Sequence, residues 1–72
     1  MNSNKLKAAM ALYGDTGNSL ASALSLSPQR FSSKLNEKNG AEFTQREIQI
    51  MAERYALDAT AVFDIFFNKK VS

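Results

Sequence analysis

The sequence predicts an all-α fold, and three observations carry that prediction. Apolar residues recur at three- and four-residue spacing in five separate stretches, and no stretch sustains the two-residue alternation of a strand. The single Pro and the three Gly fall only where a helix is expected to begin or end.

Each of the five helices has its own local reason. Leu6, Ala9, Met10 and Tyr13 share one face of a first helix over 4–13, with Ser3 as its N-cap and Gly14 placed to end it. The turn Gly14-Asp15-Thr16-Gly17 leads to a short second helix, 18–24, with Leu20, Ala21 and Leu24 on one side. Ser27-Pro28 reads as a cap followed by proline at the first helical position, where its missing N–H costs nothing, so a third helix runs over 28–37 with Phe31 and Leu35 inward. The segment Glu37-Lys38-Asn39-Gly40-Ala41 has the composition of a loop, and Gly40 can take a left-handed conformation there. Thr44 and Glu47 have the spacing of a capping box, and Phe43 and Ile48 that of a hydrophobic staple. They start a fourth helix, 45–55, with Ile48, Met51, Ala52 and Tyr55 inward. Asp58 caps a fifth, 59–67, with Val62, Ile65 and Phe66 inward, and the tail 68–72 is expected to fray.

Seventy-two residues make a single domain, and 44% apolar with 22% charged residues is the balance of a chain that folds. The five helices must therefore share one core. With no Cys and no His there is neither a disulfide nor a zinc staple, so packing and polar contacts must supply the stability. The only apolar stretch near the start, 8–12, is too short for a membrane span or a signal core. The lack of cysteine fits a reducing compartment.

Function classes narrow in the same way. General acid–base chemistry near neutral pH most often uses His, which is absent, and there is no Gly-rich phosphate loop. The carboxylates occur singly rather than at the dense spacing of a metal site. We expect no enzyme, no cofactor, no metal and no small-molecule substrate. Nine Lys plus Arg against seven Asp plus Glu give a net charge of +2, a modest supply for gripping phosphates.

The second and third helices, joined through Leu24-Ser25-Leu26-Ser27, have the pattern of a helix-turn-helix: small Ala21 at the crossing and apolar Leu24, Leu26 and Phe31 around the turn. An ordinary αα-hairpin satisfies the same spacing. The run Leu20-Ala21-Ser22-Ala23-Leu24-Ser25-Leu26-Ser27-Pro28-Gln29-Arg30-Phe31-Ser32-Ser33-Lys34-Leu35-Asn36 resembles the helix-turn-helix of lambda-repressor-like phage regulators. Glu42-Phe43-Thr44-Gln45-Arg46-Glu47-Ile48 and Val62-Phe63-Asp64-Ile65-Phe66-Phe67 are similar to the closing helices of small regulators from temperate phages of Gram-positive bacteria. The resemblance spans nearly the whole chain and is nearest to the modulator-of-repression class of antirepressors. It implies a compact five-helix lambda-repressor-like domain in the bacterial host cytoplasm, acting in the lytic–lysogenic switch. The expected partner is the phage repressor. The alternative within the same resemblance is a Cro-like repressor that reads operator DNA itself; a structural or toxin-neutralising helical protein is a third reading.

Residue chemistry bears on that choice. With Phe31 and Leu35 inward and about 100° per residue, Gln29, Ser33 and Asn36 face away, with Arg30 at one shoulder. These four are the candidate base readers, since Gln and Asn pair with adenine, Arg with guanine and Ser with either. A solvated helix face has the same composition. Two features depart from the family's operator-gripping pattern: Gly17-Asn18 stands where a phosphate-binding Gln is common, and Ser25 holds the turn position usually given to Gly. The following loop is also longer than usual and carries Glu37, a carboxylate that would repel phosphate.

Surplus apolar residues point instead to a protein partner. Ile50 lies about 160° from the inward direction set by Ile48, Ala52 and Tyr55, Leu12 is off the stripe of the first helix, and Phe63 and Phe67 stack four residues apart on the fifth. Phe63, Phe67 and Ile50 are therefore the candidate anchors for the partner, or for a homodimer through the final helix. Deep burial of the last helix in so small a domain is the opposing expectation.

Overall fold

The computed structural model describes residues 1–67. The expected tail, 68–72, lies outside the described residues. The helices are α1 (Ser3–Leu12), α2 (Gly17–Ala23), α3 (Pro28–Leu35), α4 (Gln45–Arg54) and α5 (Ala59–Val62), the last running on as a wider π-helical stretch, Phe63–Phe67. A 3-10 turn, Lys38–Gly40, lies between α3 and α4. The described residues are all-helical, without a strand.

Side-chain caps start each helix. Ser27, Thr44 and Asp58 accept the backbone N–H three residues on, and Pro28 occupies the first turn of α3. Thr44 and Glu47 close a reciprocal capping box. Two starts differ from the sequence expectation. Asn2, not Ser3, caps α1, because its Oδ1 accepts the Lys5 N–H at 3.2 Å. In α2 the cap is Thr16, which forms a capping box with Ser19, so the helix begins at Gly17.

Three helix ends share one geometry. At α1, Gly14 N–H donates to Ala11 O and Asp15 N–H to Met10 O; at α2, Ser25 N–H donates to Ser22 O and Leu26 N–H to Ala21 O. At α4, Ala56 N–H donates to Glu53 O and Leu57 N–H to Ala52 O. These are Schellman motifs, whose residue after the C-cap must be left-handed. Glycine meets that demand only at Gly14 (φ 72°), while Ser25 (φ 58°) and Ala56 (φ 50°) hold it against their Cβ atoms. The third helix is shorter than the 28–37 expected: Asn36 is its C-cap, and Glu37 is left-handed at φ 52°.

The core gathers most of the expected inward residues, but Tyr13, placed on the apolar face of the first helix, is half-exposed and rests against the Tyr55 ring with centroids 5.3 Å apart. Leu6, Leu20 and Met51 are fully buried, and Met10, Ala21, Leu24, Ile48 and Tyr55 join them. Phe31, Phe43 and Phe66 form an aromatic chain, with centroids 5.8 and 6.2 Å apart, that links α3, the α3–α4 loop and the last helix. Ile65 is buried and Val62 packs half-buried against the core. The Asn2 N–H donates to the Ile65 carbonyl at 2.6 Å, which ties the start of the chain to the π-helical stretch.

The strongest long-range tie is polar. Asp15, just after α1, accepts Arg54 Nε at 2.7 Å, Arg54 Nη2 at 2.8 Å, the Tyr55 hydroxyl at 2.7 Å and Ser19 Oγ at 2.9 Å. The Arg54 hydrogen bonds and then that of Tyr55 hold the Asp15 carboxyl well below the usual carboxylate range, against the opposing effect of burial. Burial and the neighbouring carboxylate push the Tyr55 phenol up. No helix among the described residues is long and apolar enough to cross a membrane.

Two outcomes follow for stability. Ser25→Gly and Ala56→Gly should each stabilise the domain by about 0.5–1 kcal/mol, the relief of left-handed strain less the greater chain entropy of glycine. Gly14→Ala should destabilise by a similar amount, since its added Cβ would meet nothing within 4 Å and only the backbone strain counts. Urea unfolding reads all three. Because the folded-state Asp15 carboxyl is depressed, its contribution is complete above the ordinary value of 3.8 and drains as pH falls towards the lower folded value. Asp15→Asn should therefore cost about 2 kcal/mol at pH 7 and flatten the loss of stability below pH ~4, as followed by thermal unfolding between pH 2 and 7.

Candidate functional site

Two surfaces carry the residues that the sequence singles out. The first is the outer side of α3. Gln29 and Arg30 are exposed at its N-terminal end, and Arg30 forms no ion pair among the described residues. Ser33, expected to face away, is half-buried. Asn36 is exposed, but its Nδ2 donates back to the Ser32 carbonyl at 3.0 Å. It serves the end of the helix. Of the four candidate base readers, Gln29 and Arg30 thus have side chains standing clear of other groups.

Lys34, the other cation of α3, is turned away from this face. Its Nζ lies 2.7 Å from Glu47 Oε1, with only 12% and 11% of the two side chains exposed. Glu47 Oε1 also accepts the Thr44 N–H at 2.8 Å, so one carboxylate caps α4 and pins α3 to it. Burial pushes the Glu47 carboxyl up, but the Lys34 hydrogen bond and the Thr44 backbone N–H outweigh it and hold the group below its ordinary value. Arg54 is engaged by Asp15 in the same way. Lys38 and Arg46 remain exposed and unpaired among the described residues, with exposed Glu37 just before Lys38 and exposed Glu42 between the two cations in sequence.

The second surface is formed by the last helix. Phe63 and Phe67 are 57% and 56% exposed, while Phe31, Phe43 and Phe66 are buried. Leu12, at 81%, is exposed on α1. Ile50 is a correction: it was expected to face outward and is half-buried against the core. The buried face of α4 is centred on Glu47, Ile48, Met51 and Tyr55 rather than on Ile48, Ala52 and Tyr55. That rotation brings Ile50 to about 115° from the inward direction, the margin of the buried stripe. It is a partly covered flank, not a free anchor.

Phe67 borders a groove of about 260 Å³ whose apolar lining is Met1, Phe43, Ile48, Phe66 and Phe67 and whose charged lining is Lys34, Glu37 and Glu42. Neither Phe63 nor Ile50 lines it. The Met1 ammonium sits 3.2 Å from Glu37 Oε1. Phe43, Glu42 and Lys34 were not singled out as site residues. No periodicity reveals them, because the groove arises where the loop before α4 meets the far end of the chain.

Comparison with protein-family models, with curated proteins and with solved structures finds no significant match to the chain. The site must therefore be read from its own geometry.

Replacing Lys34 by Met tests the electrostatics of that site. Removing the cation takes away two of the influences that hold the Glu47 carboxyl down and leaves the Thr44 hydrogen bonds to oppose burial, so its pKa should rise towards the ordinary value. In the wild type the contribution of this group is present above pH 4.5 and drains on acidification, and in Lys34→Met that drain should be smaller. The variant should lose about 2–4 kcal/mol at pH 7, and its gap to the wild type should narrow near pH 4, in urea unfolding at the two pH values.

Proposed function

We propose that this protein is a non-enzymatic regulator of a temperate phage's lytic–lysogenic switch. On this reading it has a lambda-repressor-like helix-turn-helix fold and acts as an antirepressor in the cytoplasm of the bacterial host. It binds the DNA-binding domain of the phage repressor and keeps that domain from its operators. The observation that carries the reading is the exposure of Phe63 and Phe67 on the last helix of a domain that otherwise buries its phenylalanines. Aromatic side chains left partly in water are favoured anchors at protein interfaces.

The α2–α3 pair supports the helix-turn-helix part of the reading. Ala21 is buried at 1% exposure, Leu24 and Phe31 flank the turn, and the Ser25 Schellman motif sets the angle at which α3 leaves α2. The same pair argues against α3 as a strong operator reader. Lys34 and Asn36 are tied up within the domain, which leaves Arg30 as the one exposed cation on α3. The region Gly17-Asn18, where a phosphate-binding Gln is common in the resembling family, offers no such side chain at Gly17, and a Cβ there would lie 3.7 Å from the Phe31 ring.

A mixing experiment with purified repressor, its operator DNA and this protein decides between protein and DNA as the target. The wild type should release repressor from operator in a gel-shift assay. Phe67→Ala should weaken repressor binding by about thirtyfold, the effect of losing roughly 2 kcal/mol at an interface anchor, with an unchanged circular dichroism spectrum. Operator binding by this protein alone that is lost with Arg30→Ala and with added salt would replace the antirepressor by the Cro-like reading, through Gln29, Arg30, Ser33 and Asn36.

A further inference from the structure

The groove beside Phe67 has an aromatic floor, a charged rim and a small volume, and these three properties together restrict what it can hold. We propose that it is a socket for one large apolar side chain presented by a cationic segment of a protein partner. This rests on the protein-partner reading above and gives the chemistry of the segment that docks.

Size is the first argument. At about 260 Å³ the groove lies below the roughly 300–1,000 Å³ of sites that enclose metabolites. It has room for a side chain rather than a cofactor. Apolar area is the second. Phe43 and Phe66 meet edge to face, and exposed Phe67 borders them, so an entering Leu, Met or Phe would cover aromatic surface that now meets water. The socket is also pre-formed: the Thr44–Glu47 capping box and the Lys34 bridge fix the wall from which Phe43 projects, which lowers the ordering cost of binding.

Charge selects the neighbour of that side chain. Of the charged groups at the groove, Lys34 is neutralised by Glu47 and the Met1 ammonium faces Glu37. Glu42 remains exposed and without an ion pair among the described residues. Among the described residues the rim therefore carries one carboxylate, Glu42, without an ion pair, on a chain whose net charge is +2. A Lys or Arg next to the inserted side chain is attracted there, and a carboxylate is repelled.

Two arms test this independently. In the first, N-acetyl-leucyl-arginine amide and N-acetyl-leucyl-glutamate amide are titrated at millimolar concentration into the ¹⁵N-labelled full chain. The arginine compound should give saturable shifts at the Phe43, Ile48, Phe66 and Phe67 amides with at least threefold the affinity of the glutamate compound, and Glu42→Gln should remove the preference. Shifts elsewhere, or equal affinity for the two compounds, overturn the socket. In the second arm, Glu42→Lys should weaken binding to the purified repressor domain at least tenfold, whereas Glu53→Lys, the same charge change away from the groove, should not. Repressor binding that ignores Glu42→Lys overturns the socket and leaves the antirepressor reading standing. A repressor that does not bind at all, alongside charge-selective seating of the arginine compound, overturns the antirepressor reading and supports the socket. Concentration-dependent self-association that shifts the same four amides makes a second copy the occupant and overturns it.

Discussion

The Asp15 carboxylate holds together two parts of the chain that lie far apart in sequence. It sits in the turn between α1 and α2 and receives hydrogen bonds from Ser19, Arg54 and Tyr55, so it fixes the start of α2 against the end of α4. A partly buried ion pair is a doubtful source of stability when desolvation is poorly repaid. Here both oxygens are occupied, and the guanidinium engages them through two donors, the arrangement that repays desolvation best. The position of α2 bears on that of α3, because the Leu26 N–H donates to the Ala21 carbonyl in the turn that joins them. A domain with no cysteine and no histidine thus uses one carboxylate to hold the start of α2 in place.

Glu47 repeats that economy on a smaller scale. One oxygen caps α4 and receives the Lys34 ammonium, so the third helix, the loop and the fourth helix share a single buried acceptor. The cost falls on the nucleic-acid chemistry of α3, which gives up a cation to its own scaffold. Positive charge that binds phosphate must be at the surface. In this chain two of the nine cations, Lys34 and Arg54, are spent on internal carboxylates. Among the described residues, the exposed charge along the α3–α4 loop is mixed in sign.

Helix positions were legible because their signals are local. Pro28, the Thr44–Glu47 box and the Phe43–Ile48 staple each act within one turn, and α3 and α4 start where those signals put them. The capping box at Thr16 lacks the usual sequence signature because its reciprocal partner is Ser19 rather than Glu or Gln. Ile50 sits at the flank of the core because a polar residue, Glu47, belongs to the buried face and rotates it, and hydrophobic periodicity gives a polar residue no weight. The exposed positions of Phe63 and Phe67 followed from the wheel, whereas the groove did not. Its residues come from α3, the loop, α4 and the last turn, and nothing in their spacing announces that they meet. The Asp15–Arg54 pair is equally silent at a separation of 39 residues.

The hydrogen bond from Asn2 to the Ile65 carbonyl has a practical corollary. Met1 and Phe67 line the same groove, so the first and last described residues meet at the surface that carries the exposed aromatics. Anything fused ahead of Met1 begins at the rim of that surface, and its size and charge act directly on what can approach. An affinity handle there is a competitor as much as a label.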